Sequence, residues 1–271
     1  MKILKVLPLL LLATLLLLST SSEAVAASTT ELTPSIKAAF DLTAATAEGP
    51  ARVKLHSLYN DLSTLKLQYD QREKQIRILH YNNEQSLVVV RQQIKSIDLE
   101  AVTRLEASVK SCKQRYQPLF DQYSALNKRI SIAKALKDKT LNTVLRAQSN
   151  AMKILVQLAR QEISNKQNQL NAAKKTRTQK IAQARTTLSG IESPQISIKS
   201  NKRVISSLNK RVSADWTDFK AAIRKRNVTL TTQSLVSLGY GYRQIATCKQ
   251  KIIELEQKIS LVIANTQKQI S

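Results

Sequence analysis

The chain has 271 residues, with 43 Lys+Arg against 19 Asp+Glu and a formal charge of +24. Only 4 Gly and 5 Pro interrupt it and aromatic residues make up 4%, which points to an all-α protein rather than one built on strands and tight turns. The charge favours association with polyanions and carries no information about fold.

Residues 1–26 read as a signal peptide. Lys2 and Lys5 give a basic start, Val6 to Leu18 is an apolar run, and Ala24-Val25-Ala26 offers a small-residue cleavage site. The run is shorter than the roughly 20 residues a membrane-spanning helix needs. The expectation is a mature chain that is secreted, extracellular or cell-surface associated, with no membrane span left after cleavage. Residues 27–50 read as an unstructured lead and a short helix, with Thr33-Pro34 at its start and Glu48-Gly49-Pro50 at its end. Residues 51–271 read as a single helical-bundle domain.

Between Ala51 and Ser189 there is no glycine and one proline, Pro118. Apolar or small residues recur at three-four spacing through Leu55, Leu58, Leu62, Leu65, Tyr69, Ile76 and Leu79. The clearest stripe follows: Val102, Leu105, Val109, Cys112, Tyr116, Leu119, Tyr123, Leu126, Ile130 and Ala133, the pattern of a coiled-coil seam. One unbroken helix over this span would exceed roughly 200 Å, so breaks are expected at Ser96-Ile97-Asp98 and Lys137-Asp138-Lys139-Thr140, where polar side chains suit a new helix start. Pro118 is expected to kink or break its helix.

Beyond Leu141 the stripe runs through Leu145, Met152, Leu155 and Ala159, then thins to Ile163, Leu170, Ile181 and Leu188. Gly190-Ile191-Glu192-Ser193-Pro194 reads as the clearest loop. Around it, a helical hairpin over about 160–215 is expected to project from the bundle. A further break is expected at Asn227 to Thr232. The last helix would carry Ile245, Cys248, Ile252, Leu255, Ile259 and Val262. The fold expected is thus an elongated antiparallel helical bundle of coiled-coil hairpins.

Cys112 and Cys248 both fall on these stripes, and in an exported chain with two cysteines a disulfide between them is the expectation. The alternative is two reduced thiols buried as small hydrophobes.

Residues 137–226 carry 20 basic and 5 acidic residues. Lys139, Arg146, Lys153 and Arg160 are spaced by seven and so form a line beside the stripe. Arg203, Lys210 and Arg224 repeat that spacing on the next helix, with Arg211 adjacent. Lys174, Lys175, Arg177, Lys180, Arg185, Lys199 and Lys202 flank the expected loop. Together they read as a surface for an anionic polymer or surface, such as a cell-wall polymer, extracellular nucleic acid, acidic polysaccharide or anionic lipid headgroups, bound without sequence specificity. The competing reading is a solvated basic face with no partner.

No CxxC, HExxH, phosphate-cradling glycine loop or GxSxG is present. His56 and His80 are too far apart to make a helical ligand pair. No catalytic residue, metal or cofactor is expected. The alternative function is a coiled-coil scaffold or chaperone-like protein that self-associates, as a homo-oligomer, or binds partner helices.

Overall fold

The computed structural model describes residues 32–270, and these form an all-α helical bundle. The signal peptide read at residues 1–26 lies outside them. The helices are α1 (Pro34–Ala45), α2 (Gly49–Ser96), α3 (Leu99–Ala135), α4 (Lys139–Leu188), α5 (Glu192–Arg224) and α6 (Val228–Ile270), with a 3-10 turn at Ser189–Ile191 between α4 and α5. No helix among the described residues is long and apolar enough to cross a membrane.

α1 starts as the sequence suggests. The Thr33 hydroxyl accepts from the Ile36 amide at 3.3 Å, with Pro34 at the first helical position. Its far end is closed by Arg52, whose guanidinium donates to the carbonyls of Ala44, Ala45 and Ala47.

Where the sequence reading takes 51–271 as one domain, the chain divides into two compact units. The first comprises the described residues up to Arg72 together with Lys202–Lys249. Its core joins Phe40 and Ala44 of α1, Leu55, Tyr59 and Leu62 of α2, Trp216, Phe219 and Ile223 of α5, and Leu235, Leu238 and Ile245 of α6. Phe40 stacks on Tyr59 with ring centroids 4.3 Å apart. The Trp216 Nε1 donates to the Tyr242 hydroxyl at 3.2 Å, so this buried indole has its polar edge satisfied.

The second unit comprises residues 73–201 and 250–270. In it α3 and α4 pack along one another. Glu106 meets Lys174, Arg115 meets Glu162 and Asn127 meets Ser149, so the two helices are antiparallel. The α3 stripe read from the sequence is the face turned to α4, with Val102, Val109, Cys112 and Ala133 buried. On α4 the buried face is Leu145, Ser149, Val156, Ala159 and Leu170; Leu155, placed on that face by the sequence reading, is exposed. Elsewhere in this unit Glu256 of α6 is buried against α2, where its carboxylate faces His80 Nδ1 at 2.9 Å and accepts from Asn83 Nδ2 at 2.8 Å.

The breaks expected near residues 96–98, 137–140 and 227 are present, and each has one left-handed residue: Asp98 (φ 49), Lys137 (φ 58) and Arg226 (φ 49). Two of these junctions are built alike. At α3–α4 the Asp138 amide donates to the Ala133 carbonyl at 3.1 Å, and at α5–α6 the Asn227 amide donates to the Ala222 carbonyl at 3.1 Å. This is the six-to-one bond that closes a helix C-terminus around a left-handed residue. The same two residues then cap the next helix, Asp138 on the Leu141 amide and Asn227 on the Leu230 amide.

Residues 190–194 differ from the expected loop. Leu188, Ser189 and Glu192 keep right-handed helical dihedrals, and no glycine has positive φ. Ala184, Leu188, Ile191, Pro194 and Ile198 are all buried at three-four spacing, so one face runs straight through the 3-10 turn. That stretch packs on α6: the Thr187 hydroxyl bonds Gln269, and a Cβ on Gly190 would lie 3.6 Å from Val262. Pro194 is tolerated because it falls in the first turn of α5, where its missing N–H costs little. The hairpin expected over about 160–215 is therefore not folded at 190–194, and its residues are shared between the two units. The basic hairpin of the second unit is α3–α4, reversing at Leu136–Asp138. Pro118 lies within an unbroken α3.

Candidate anion-binding hairpin

With α3 and α4 antiparallel, each helix has a seam (heptad positions a and d) and two flanks (e and g), and like flanks of the two helices adjoin. Two ion pairs fix which residues share a flank. Glu106 and Lys174, 2.7 Å apart, both occupy e positions; Arg115 and Glu162, 2.6 Å apart, both occupy g positions.

The cation line read from the sequence lies on the e flank. Lys139, Arg146, Lys153 and Arg160 are all exposed there, and two further steps of seven reach Gln167 and Lys174. The facing e positions of α3 add Lys113 and Lys134, both exposed, cations that the sequence reading left out. Lys113 Nζ donates to Gln167 at 3.4 Å. An open groove of about 380 Å³ lies along this flank, lined by Lys113, Phe120, Arg160, Ile163, Ser164, Gln167 and Asn168. Its floor is apolar at Phe120 and Ile163, and its rim carries the two cations.

From residue 107 to 173 the chain carries twelve basic and three acidic residues. Each acid is engaged. Asp121 accepts from Gln117, Asp138 caps α4, and Glu162 is held on the g flank by Arg115 and the Tyr116 hydroxyl. That hydroxyl, then the guanidinium and the Cys112 thiol, hold the Glu162 carboxyl below its ordinary pKa. The Tyr116 phenol is pushed up, chiefly by the same hydrogen bond.

The other candidate cations divide. Arg177 donates to the Ile97 carbonyl at 2.8 Å and the Lys95 carbonyl at 3.0 Å, closing the C-terminus of α2. Lys180 pairs with Asp98 at 2.8 Å and Lys174 with Glu106. These three are engaged by partners within the second unit. Lys175, Arg185 and Lys199 are exposed in the second unit, while Lys202, Arg203, Lys210, Arg211 and Arg224 are exposed in the first. Arg211 lies over the Tyr240 ring at 6.0 Å.

The expected Cys112–Cys248 disulfide is absent, and both cysteines are free. Cys112 is buried on the α3 face that α4 covers. Cys248 is half-buried on α6, in the other unit. The deepest α6 stripe is Ile245, Lys249, Ile252, Glu256, Ile259 and Ile263, which passes beside Cys248 rather than through it.

Among the described residues no group of three or more His, Cys, Asp or Glu is arranged to hold a metal ion. His56 packs edge-on to Phe40, and His80 faces Glu256. No protein-family model matches the chain, and comparison with curated proteins and with solved structures finds no match.

Proposed function

We propose that this chain is a secreted, non-enzymatic protein that binds an anionic polymer along the e flank of the α3–α4 hairpin. The observation that carries the reading is the line of Lys139, Arg146, Lys153 and Arg160, exposed on one flank and joined there by Lys113 and Lys134. Heptad spacing sets successive cations about 10.5 Å apart along α4. Among the described residues none of the four α4 cations forms an ion pair with a carboxylate, and Asp138 beside Lys139 is engaged in capping α4. A repeating polyanion, such as a cell-wall polymer, extracellular nucleic acid or acidic polysaccharide, supplies charges along such a track whatever its sequence. Binding of this kind is dominated by counterion release and weakens steeply with salt.

The test is retention on a phosphocellulose column as salt is raised. The quadruple variant Lys139→Gln, Arg146→Gln, Lys153→Gln, Arg160→Gln is expected to elute at lower salt, with the slope of log affinity against log salt reduced by about one per lost contact. All four side chains are exposed, so the melting temperature is expected to stay within a few degrees of the parent. Retention that persists unchanged in about 1 M salt, where charges are screened within a few ångströms, would sink the reading. So would a variant that elutes with the parent.

A further inference from the structure

The opposite flank of the same hairpin has a different chemistry. The Arg115–Glu162 pair fixes it as the g flank. Steps of seven toward the turn give facing positions Gln122 and Leu155, then Arg129 and Gln148, then Leu136 and Leu141. The c positions on the same flank are Ala125 and Ile132 on α3, with Val144, Ala151 and Leu158 on α4. Ile132, Leu136, Leu141, Val144, Leu155 and Leu158 are all exposed, Leu136 at 72% and the others between 41% and 58%. Two helices thus contribute to one apolar flank over the distal half of the hairpin, a contiguous patch rather than the scattered apolar exposure that any surface shows.

Cations border this patch. Arg129 lies on the flank itself, Lys128 beside it on α3 and Lys137 at the turn, while the only acid from residue 122 to 160 is Asp138, which caps α4. A second copy of the chain would set these cations against their own counterparts, so the charge disfavours self-association. A partner helix laid along the flank would leave the most exposed leucine, Leu136, beyond its end on the turn. A surface that receives a convex, apolar, cation-bordered tip is the interface of an anionic bilayer, where leucine side chains enter the headgroup boundary and lysines meet phosphates. We infer that the distal α3–α4 hairpin docks on anionic lipid bilayers through Ile132, Leu136, Leu141, Val144, Leu155 and Leu158. This uses the flank opposite the polymer track and is separable from it.

The test is sedimentation of the mature chain with phosphatidylglycerol-containing vesicles and with phosphatidylcholine vesicles, at about 0.1 M salt where long-range attraction is partly screened. The parent is expected to partition onto the anionic vesicles and only weakly onto the neutral ones. The double variant Leu136→Ser, Leu141→Ser is expected to lose about tenfold in vesicle partitioning, with unchanged thermal unfolding by circular dichroism and unchanged phosphocellulose retention. Loss of vesicle binding with retention intact supports the inference, and does so even if the e-flank cations prove irrelevant to the column. Equal partitioning of parent and variant overturns it, as does equal affinity for neutral vesicles or no partitioning at all. A lipid-free dimer that dissociates in the double variant also overturns it, by assigning the patch to a second copy.

Discussion

Arg115 of α3 and Glu162 of α4 meet at 2.6 Å on the g flank of the hairpin, with the Tyr116 hydroxyl on the same carboxylate. This contact defines the register of the two helices, and every assignment of a side chain to one flank or the other follows from it. It also concentrates the hairpin's one interhelical carboxylate between residues 107 and 173 at a single place.

The pair has a pH signature. Glu162 is held below its ordinary value of 4.5 by the Tyr116 hydroxyl first and Arg115 next. A carboxyl whose folded pKa is depressed contributes stability that is fully present above the unfolded value and is lost as pH falls through the folded one. Tyr116 is raised above 10.0, chiefly by the same hydrogen bond. Its contribution is present below that value and fades as pH rises through the folded pKa. The melting temperature of the parent is therefore expected to exceed that of Glu162→Gln between about pH 5 and pH 9, and the gap to close below pH 4.5 and again in alkali. A gap that does not vary with pH would show that the pair's ionisation is not coupled to folding.

Most of the helices were legible in the sequence, and the reasons are local. Thr33, Asp138 and Asn227 announce helix starts because short polar side chains satisfy orphan amides, and the α3 stripe announces its buried face through uninterrupted three-four spacing. The reversals were less visible because Lys137 and Arg226 take left-handed conformations usually given to glycine. Gly190 and Pro194 drew attention to a place where the helix continues instead: a Cβ at Gly190 meets only ordinary contact, and Pro194 sits where no donor is needed. The buried α6 stripe was hidden for another reason. Lys249 and Glu256 are each 1% exposed within it, and apolar pattern reading passes over charged residues. The apolar pattern shares Ile245, Ile252 and Ile259 with that stripe but falls one residue short at Cys248, Leu255 and Val262, which puts Cys248 on a face it does not occupy.

The buried Glu256 carboxylate makes a second prediction. It faces His80 Nδ1 and accepts from the Asn83 amide, while the same amide also donates to the Glu256 carbonyl at 2.8 Å. Glu256→Ala removes the acceptor and leaves a hole, and is expected to cost about 2–4 kcal/mol in urea unfolding. Glu256→Gln keeps the volume and one acceptor oxygen, and is expected to cost about 1 kcal/mol. Two variants of equal stability would mean that the retained volume contributes little and that loss of the carboxylate accounts for the whole effect.

The two glycines within α6 make the third prediction, with opposite signs only two residues apart. In a helix interior glycine is less favourable than alanine by about 0.5–1 kcal/mol, because its backbone loses more freedom on folding. At Gly239 an added Cβ meets only the Arg243 Nη1 at 3.7 Å, so Gly239→Ala is expected to stabilise the fold by about that amount. At Gly241 the added Cβ would lie 2.6 Å from Val212 Cγ2. Val212 is buried and β-branched, with one strongly preferred rotamer in a helix, so it cannot swing aside. Either α5 and α6 must part or the valine must leave its rotamer, and Gly241→Ala is expected to destabilise by about 1–3 kcal/mol. Adding Val212→Ala to Gly241→Ala removes the clashing methyl, so the double variant is expected to fall short of the summed single losses in chemical denaturation. Strict additivity would show that the close approach of α5 and α6 at Gly241 is not what requires the glycine.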